Sequence, residues 1–140
     1  NAHNNFSENK YNSDLLSIGV NLSGCFLTTG KVIENNKDAI VINIGSSAGT
    51  NSRGGWSSYC AAKAGLIMAT ECWADEGIRT ICISPGRTDT KMRHELFPGE
   101  DKSGLLGTES FAKVVCQAIE GRFEWGGNVG VSISNIGEFE

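Results

Sequence analysis

The sequence predicts an α/β chain in which a parallel sheet is doubly wound, with helices on both of its faces. Three observations carry this. Ala39-Ile40-Val41-Ile42-Asn43-Ile44 is a continuous apolar, β-branched run, the pattern of a strand covered on both faces. Ile78 to Ser84 reads as a second buried strand, closed by Pro85-Gly86. Longer stretches with apolar residues at helical spacing separate and follow these runs. Strands that alternate with helices in this way argue for parallel pairing through right-handed crossovers.

Taken in order, residues 1–12 are polar, with five asparagines, and read as a loop. Ser13 or Asp14 caps a helix running to about Asn35, with Leu15, Leu16, Ile18, Val20, Leu22, Phe26 and Leu27 partly in register. Gly19, Gly24 and Gly30 weaken that helix unless they permit close packing on another one. After the first strand, Gly45 to Gly55 is a loop of Gly, Ser, Asn and Thr. Ser57 to Asp75 is helical and ends at Gly77. After the second strand a polar loop extends to about Gly107. Thr108 caps a helix through Glu120, with Phe111, Val114, Val115, Ala118 and Ile119 facing inward and Gly121 stopping it. Val129 to Ile133 is a third strand.

Composition narrows the function classes. A hydrophobic share of 39% and a charged share of 20% suit a soluble globular chain. A net charge of −4 without a basic run argues against a nucleic-acid partner. No apolar stretch reads as long enough to span a bilayer, and no signal peptide opens the chain, so no membrane partner is expected. The five cysteines stand at 25, 60, 72, 82 and 116, with no CxxC or Cys/His spacing. Cys60, Cys72, Cys82 and Cys116 fall within apolar patterns and read as small buried hydrophobes, the usage of a reduced, cytoplasmic protein without a metal site. His3 and His94 read as surface residues.

The chemistry collects at one edge of the predicted sheet. Tyr59 and Lys63 stand four apart, on one helix face. An ammonium beside a phenol favours the phenolate, which makes Tyr59 a candidate proton-transfer group. Ser46-Ser47 lies just past the first strand and Pro85 to Thr90 just past the second. Ligands of open parallel sheets bind beyond the carboxyl ends of the strands, where these three pieces converge. Alone, Ser46 reads as a turn residue, Asn21 as a helix-surface residue and Thr90 as a turn hydroxyl.

Together the pieces resemble the short-chain dehydrogenase/reductase family in its compact form. The matching segments are Val20-Asn21-Leu22-Ser23-Gly24, Ile42 to Gly49, Tyr59 to Lys63, and Ile83-Ser84-Pro85-Gly86-Arg87-Thr88-Asp89-Thr90-Lys91-Met92. Order and spacing agree from about residue 14 to 134. The resemblance implies a Rossmann-like sheet and a carbonyl–alcohol oxidoreductase using NAD or NADP. It makes Tyr59 the general acid/base, and Lys63 the partner of both Tyr59 and the nicotinamide ribose. It gives Ser46, with Ser47 as fallback, the substrate oxygen, and Asn21 a helix bend and a water relay. Pro85 and Gly86, with Thr88 through its backbone and Thr90, would hold the nicotinamide end.

The family's glycine-rich dinucleotide turn is not found, nor is a selector for the adenosine ribose. The resemblance therefore reads residues 1–140 as the carboxyl-terminal part of one domain. Asn1-Ala2-His3 would stand where the family closes its fourth strand with Asn-Ala-Gly. The expected substrate is a small carbonyl or alcohol. The mixed loop Met92 to Leu106 suggests a sugar, a polyol or its phosphate. Arg87, Lys91 and Arg93 read either as solvated or as an anion site. The rival expectation is a truncated or degenerate, non-catalytic assembly module. In the family the helices carrying Asn21 and Tyr59 pack against a second subunit, so a homodimer or homotetramer is expected. Gly19, Gly24, Ala61, Ala62, Gly65 and Ala69 would allow the close contact.

Overall fold

The computed structural model describes residues 8–139, with side chains from Tyr11 onward. The Asn1-Ala2-His3 expectation and His3 lie outside the described residues. The elements are α1 (Glu8–Ile18), a π-helical turn (Gly19–Ser23), α2 (Gly24–Asn35), β1 (Val41–Ile44) and α3 (Ser57–Asp75). Then come β2 (Thr80–Pro85), α4 (Lys91–Leu96), α5 (Thr108–Ile119) and β3 (Asn128–Val131). The strands form one parallel sheet in the order β1-β2-β3. Val41 stands opposite Thr80, and Pro85 opposite Val131.

β2 is central, and its residues from Thr80 to Ser84 are all buried. Alternation sends its side chains to two faces. Ile81 and Ile83 meet Val114 and Ala118 of α5, with Leu106 and Val131 completing a fully buried cluster. Thr80 turns to the opposite face, towards α3, where Ala62, Leu66 and Thr70 are buried. A buried polar link ties the layers there. Asn43 Nδ2 donates to Thr70 Oγ1 at 2.9 Å and to Thr80 Oγ1 at 3.3 Å, and Thr70 Oγ1 donates to Leu66 O at 2.8 Å. Each buried polar atom is thereby satisfied. Helices on both faces of a parallel sheet are the doubly wound arrangement the sequence predicts.

Several local expectations change. The first helix begins by Glu8, within the stretch that reads as a loop, so neither Ser13 nor Asp14 is its cap. Asp14 instead accepts a hydrogen bond from Ser58 Oγ at 2.7 Å and ties α1 to α3. The glycines do not break the helix. The chain passes through one π turn, with the Gly24 N–H bonded to Gly19 O, and continues. The polar loop after β2 contains α4, capped by Thr90 Oγ1 accepting from Arg93 N at 3.2 Å. Thr108 is the first residue of α5; Gly107 holds the cap position, without a side-chain bond. Gly77 and Gly121 end α3 and α5 with φ of 88° and 74°, a conformation glycine adopts at no steric cost. Cys72 and Cys116 are exposed and only Cys82 is fully buried, because the predicted apolar periods leave those two thiols on outer helix faces.

The reading of no bilayer-length stretch also changes. Tyr11–Asn35 is a helical stretch of 25 residues with the length and composition of a span. It docks along α3, where Leu22 sits over Gly65 so closely that a Cβ there would lie 3.2 Å from Leu22 Cδ2.

Candidate active site

Two glycines bring the serine turn onto α3. A Cβ on Gly45 would lie 2.2 Å from Ser84 Oγ and 2.7 Å from Cys82 Sγ, so only glycine lets β1 end this close to β2. A Cβ on Gly49 would lie 3.0 Å from the Lys63 carbonyl. The turn from Ser46 to Gly49 is thus pressed against the middle of α3, at the level of Lys63.

Ser46 is extended, and its hydroxyl oxygen accepts from Ala48 N at 3.1 Å, capping a short 3-10 turn. An oxygen that accepts keeps its own proton to donate. Ser47 is turned aside, its hydroxyl accepting from Arg53 Nη2 at 3.4 Å. Lys63 is 9% exposed, and its Nζ donates to Ile44 O at 2.7 Å, at the carboxyl end of β1. Desolvation lowers its pKa below 10.5, partly offset by the nearby Cys25 and Cys82 thiols. The ammonium lies 5.8 Å from the Tyr59 ring centroid, within cation–π range. Burial pushes the Cys82 thiol up, against the opposing effect of its hydrogen bond with Ser84, so it is an inert neighbour.

Asn21 lies in the π turn, and its Nδ2 donates to Ser17 O at 3.0 Å. Its backbone carbonyl accepts from Cys25 Sγ at 3.5 Å. The side chain is bonded within its own helix, and the π turn packs on α3 through Leu22 and Gly65.

Beyond β2, Gly86 N donates to Val131 O at 2.7 Å, and a Cβ there would meet Ser132 at 3.2 Å. Thr88 pairs with Leu106 in an isolated parallel bridge. Its bonds run through Arg87 O and Asp89 N, on either side of Thr88, so the Thr88 N–H points away from Leu106. Thr88 Oγ1 donates to Gly86 O at 3.2 Å, while Thr90 Oγ1 caps α4. The basic group of this loop faces acids. Arg93 binds Glu100 through two bonds of 2.7 and 2.6 Å, and Arg87 Nη1 lies 3.5 Å from the same carboxylate. These bonds hold the Glu100 carboxyl below its ordinary range. Lys91 pairs loosely with Glu95, and His94, which reads from sequence as unpartnered, bonds Asp89.

The structure therefore gathers Ser46, Tyr59 and Lys63 around the end of β1. It keeps Thr88 and Thr90 on the neighbouring loop and Asn21 in the helix behind. Sequence reasoning missed two aromatic neighbours. The Trp56 ring meets the Tyr59 ring edge-on at 5.8 Å, and Phe97 lies 6.2 Å from Trp56. Trp56 has a sequence signal, three residues before Tyr59 at the start of α3; Phe97 has none.

Residues 3–101 match the family model described as short chain dehydrogenase. A benzil reductase ((S)-benzoin forming) of Bacillus cereus is 33% identical over 92 residues, which is 59% of this chain and 37% of that protein. A 3-oxoacyl-(acyl-carrier-protein) reductase FabG of Thermotoga maritima is 34% identical over 86 residues, 56% of this chain and 35% of that one. Among solved structures, a short chain dehydrogenase of Escherichia coli CFT073 complexed with NADPH superposes with a TM-score of 0.70 at 26% identity. That match covers 81% of this chain and 50% of the other. A 4-hydroxyisoleucine dehydrogenase complexed with NADH gives 0.72 at 21% identity, covering 89% and 59%, a likeness of fold. The matched part is thus little more than a third of each curated relative named and half or somewhat more of each solved chain.

Proposed function

The chain belongs to the short chain dehydrogenase family, and on that premise we propose that it takes part in the NAD(P)-dependent interconversion of a carbonyl and an alcohol, with Tyr59 as general acid/base. The observation that carries the reading is the buried Lys63 ammonium, bonded to Ile44 O beside the Tyr59 ring and against the Ser46 turn. A strongly desolvated lysine among hydroxyl groups at the carboxyl end of a parallel strand is a functional arrangement more than a stabilising one.

The donor set fits the nicotinamide end of such a cofactor. An ammonium carries three protons, and Ile44 O takes one, which leaves donors for ribose hydroxyls. The Thr88 N–H and the Thr90 hydroxyl are the candidates for the carboxamide. No glycine-rich turn for the pyrophosphate exists in the sequence, so the fit is confined to that end. When bound, the nicotinamide supplies or accepts the hydride. Ser46 donates its free proton to the substrate oxygen and fixes its position. Tyr59 gives a proton to that oxygen in reduction and takes it back in oxidation. Lys63 supplies the adjacent positive charge, undamped by solvent.

The test is Tyr59→Phe in the full-length protein. General acid/base groups contribute about 10²–10⁴-fold, so turnover of a carbonyl substrate falls by at least ~100-fold. Near-normal turnover removes Tyr59 from the chemistry.

A second reading, assembly with another copy, draws on one observation. Leu16 of α1, Val20 of the π turn, Leu27 of α2 and Met68 of α3 are exposed. Exposed apolar residues in this number mark an interaction surface. Sedimentation of Leu16→Glu with Leu27→Glu, set against the parent, tests it; an unchanged mass argues against a homodimer or homotetramer built on this face.

A further inference from the structure

We propose that the substrate of this site carries a flat aromatic group next to its reacting carbon, stacked against a wall formed by Trp56 and Phe97. The inference rests on the carbonyl–alcohol reading above and names its substrate class. Trp56 stands at the start of α3, with its ring edge-on to Tyr59. Phe97 follows the end of α4 and lies tilted by 31° against Trp56. Tyr59, Trp56 and Phe97 thus form a continuous row, each residue half-buried. Two arginines flank the row. The Arg53 guanidinium lies 5.5 Å from the Trp56 ring centroid, and that of Arg93 lies 3.9 Å from Phe97.

Several charges of the same loop are turned on one another. Arg93 and Arg87 converge on Glu100, and His94 bonds Asp89. A phosphate or an acid on the substrate would have to displace Glu100 from a two-bond pairing to reach Arg93. Ionic recognition through Arg93 is therefore closed off, and the surface beside Tyr59 includes the edge-on Trp56 ring. Aromatic rings pair in offset or edge-to-face geometry at the centroid spacings seen along this row. A carbonyl attached to an aryl ring would stack on the wall and extend its oxygen towards Tyr59 and Ser46.

The experiment uses the full-length protein with its nicotinamide nucleotide. It compares kcat/KM for acetophenone, for cyclohexyl methyl ketone of matched size, and for an open-chain ketose. Acetophenone is expected to lead cyclohexyl methyl ketone by about 3–10-fold, the discrimination one good aromatic contact supplies. Phe97→Leu and Trp56→Leu should each bring that ratio close to one, and Trp56→Phe should keep most of it. A ratio near one in the parent, a ratio unmoved by both leucine variants, or a preference for the ketose overturns the proposal. If no ketone turns over, the oxidoreductase reading fails separately. Ligand-observed NMR of acetophenone then decides the wall. Binding weakened in Phe97→Leu supports it, and equal or absent binding overturns it.

Discussion

Lys63 concentrates the physical chemistry of this chain in one side chain. Its ammonium is almost removed from water, holds one carbonyl, and has its pKa lowered by that burial. In the unfolded chain the same group titrates at its ordinary 10.5. Below the lowered folded value both states are protonated, and the full burial penalty opposes folding. Between the folded value and 10.5 the unfolded state holds more protons, so stability rises with pH. Urea denaturation from neutral pH to about pH 10.5 should therefore show a rising contribution in the parent that Lys63→Met lacks. Parallel pH profiles would show that the ammonium is better solvated than its burial indicates. Ser46 makes a second case. Its hydroxyl both caps the 3-10 turn and has a proton free for a substrate. Ser46→Ala should cost about 1 kcal/mol of stability through the lost bond, and far more in turnover. Loss of stability with turnover intact would leave Ser46 a turn residue only.

At the scale of elements, close approach decides where the site stands. β1 ends against β2 because Gly45 has no side chain to meet Ser84 and Cys82. Gly45→Ala places a methyl 2.2 Å from Ser84 Oγ, an overlap that must move a strand. Overpacking of this kind costs about 1–3 kcal/mol, measurable as a lower denaturation midpoint. The combined Gly45→Ala with Ser84→Gly should recover part of the loss, and no recovery would place the strain elsewhere. α4 is short and depends on its cap. Thr90→Ala should cost about 1 kcal/mol and loosen the segment that carries Phe97. The π turn at Gly19–Ser23 is supported locally, since Asn21 Nδ2 bonds the carbonyl four residues back within its own helix.

At the scale of the whole molecule, the described sheet has three strands, and β1 lies at one edge with Ile44 43% exposed. An unpaired edge is a pairing surface. The described sheet carries the residues proposed for the nicotinamide end of a cofactor, and the sequence holds no glycine-rich turn for its phosphates. Phosphate contacts to backbone N–H groups supply much of dinucleotide affinity. Residues 1–140 on their own are therefore expected not to bind NADH or NADPH tightly in calorimetry, and tight binding would overturn that expectation.

The sequence by itself determined the α/β class, the span of α3 from Ser57 to Asp75, the buried strands within a residue or two of their ends, and the placement of Ser46 and of residues 86–90 just past two neighbouring parallel strands. These follow from periodicity and from glycine and proline positions, which are local. The first helix turn, the exposure of Cys72 and Cys116, and α4 were not legible. Asparagine-rich stretches and short capped helices carry weak periodic signals. Pairings across dozens of residues were beyond local reading altogether. Asp14 with Ser58, and Trp56 with Phe97, meet only because α1 lies along α3 and the loop after β2 folds back over its start. Only the tertiary structure decided which charges face each other and which aromatic rings stand beside Tyr59, because contacts of that kind are fixed by packing and leave no spacing in the chain.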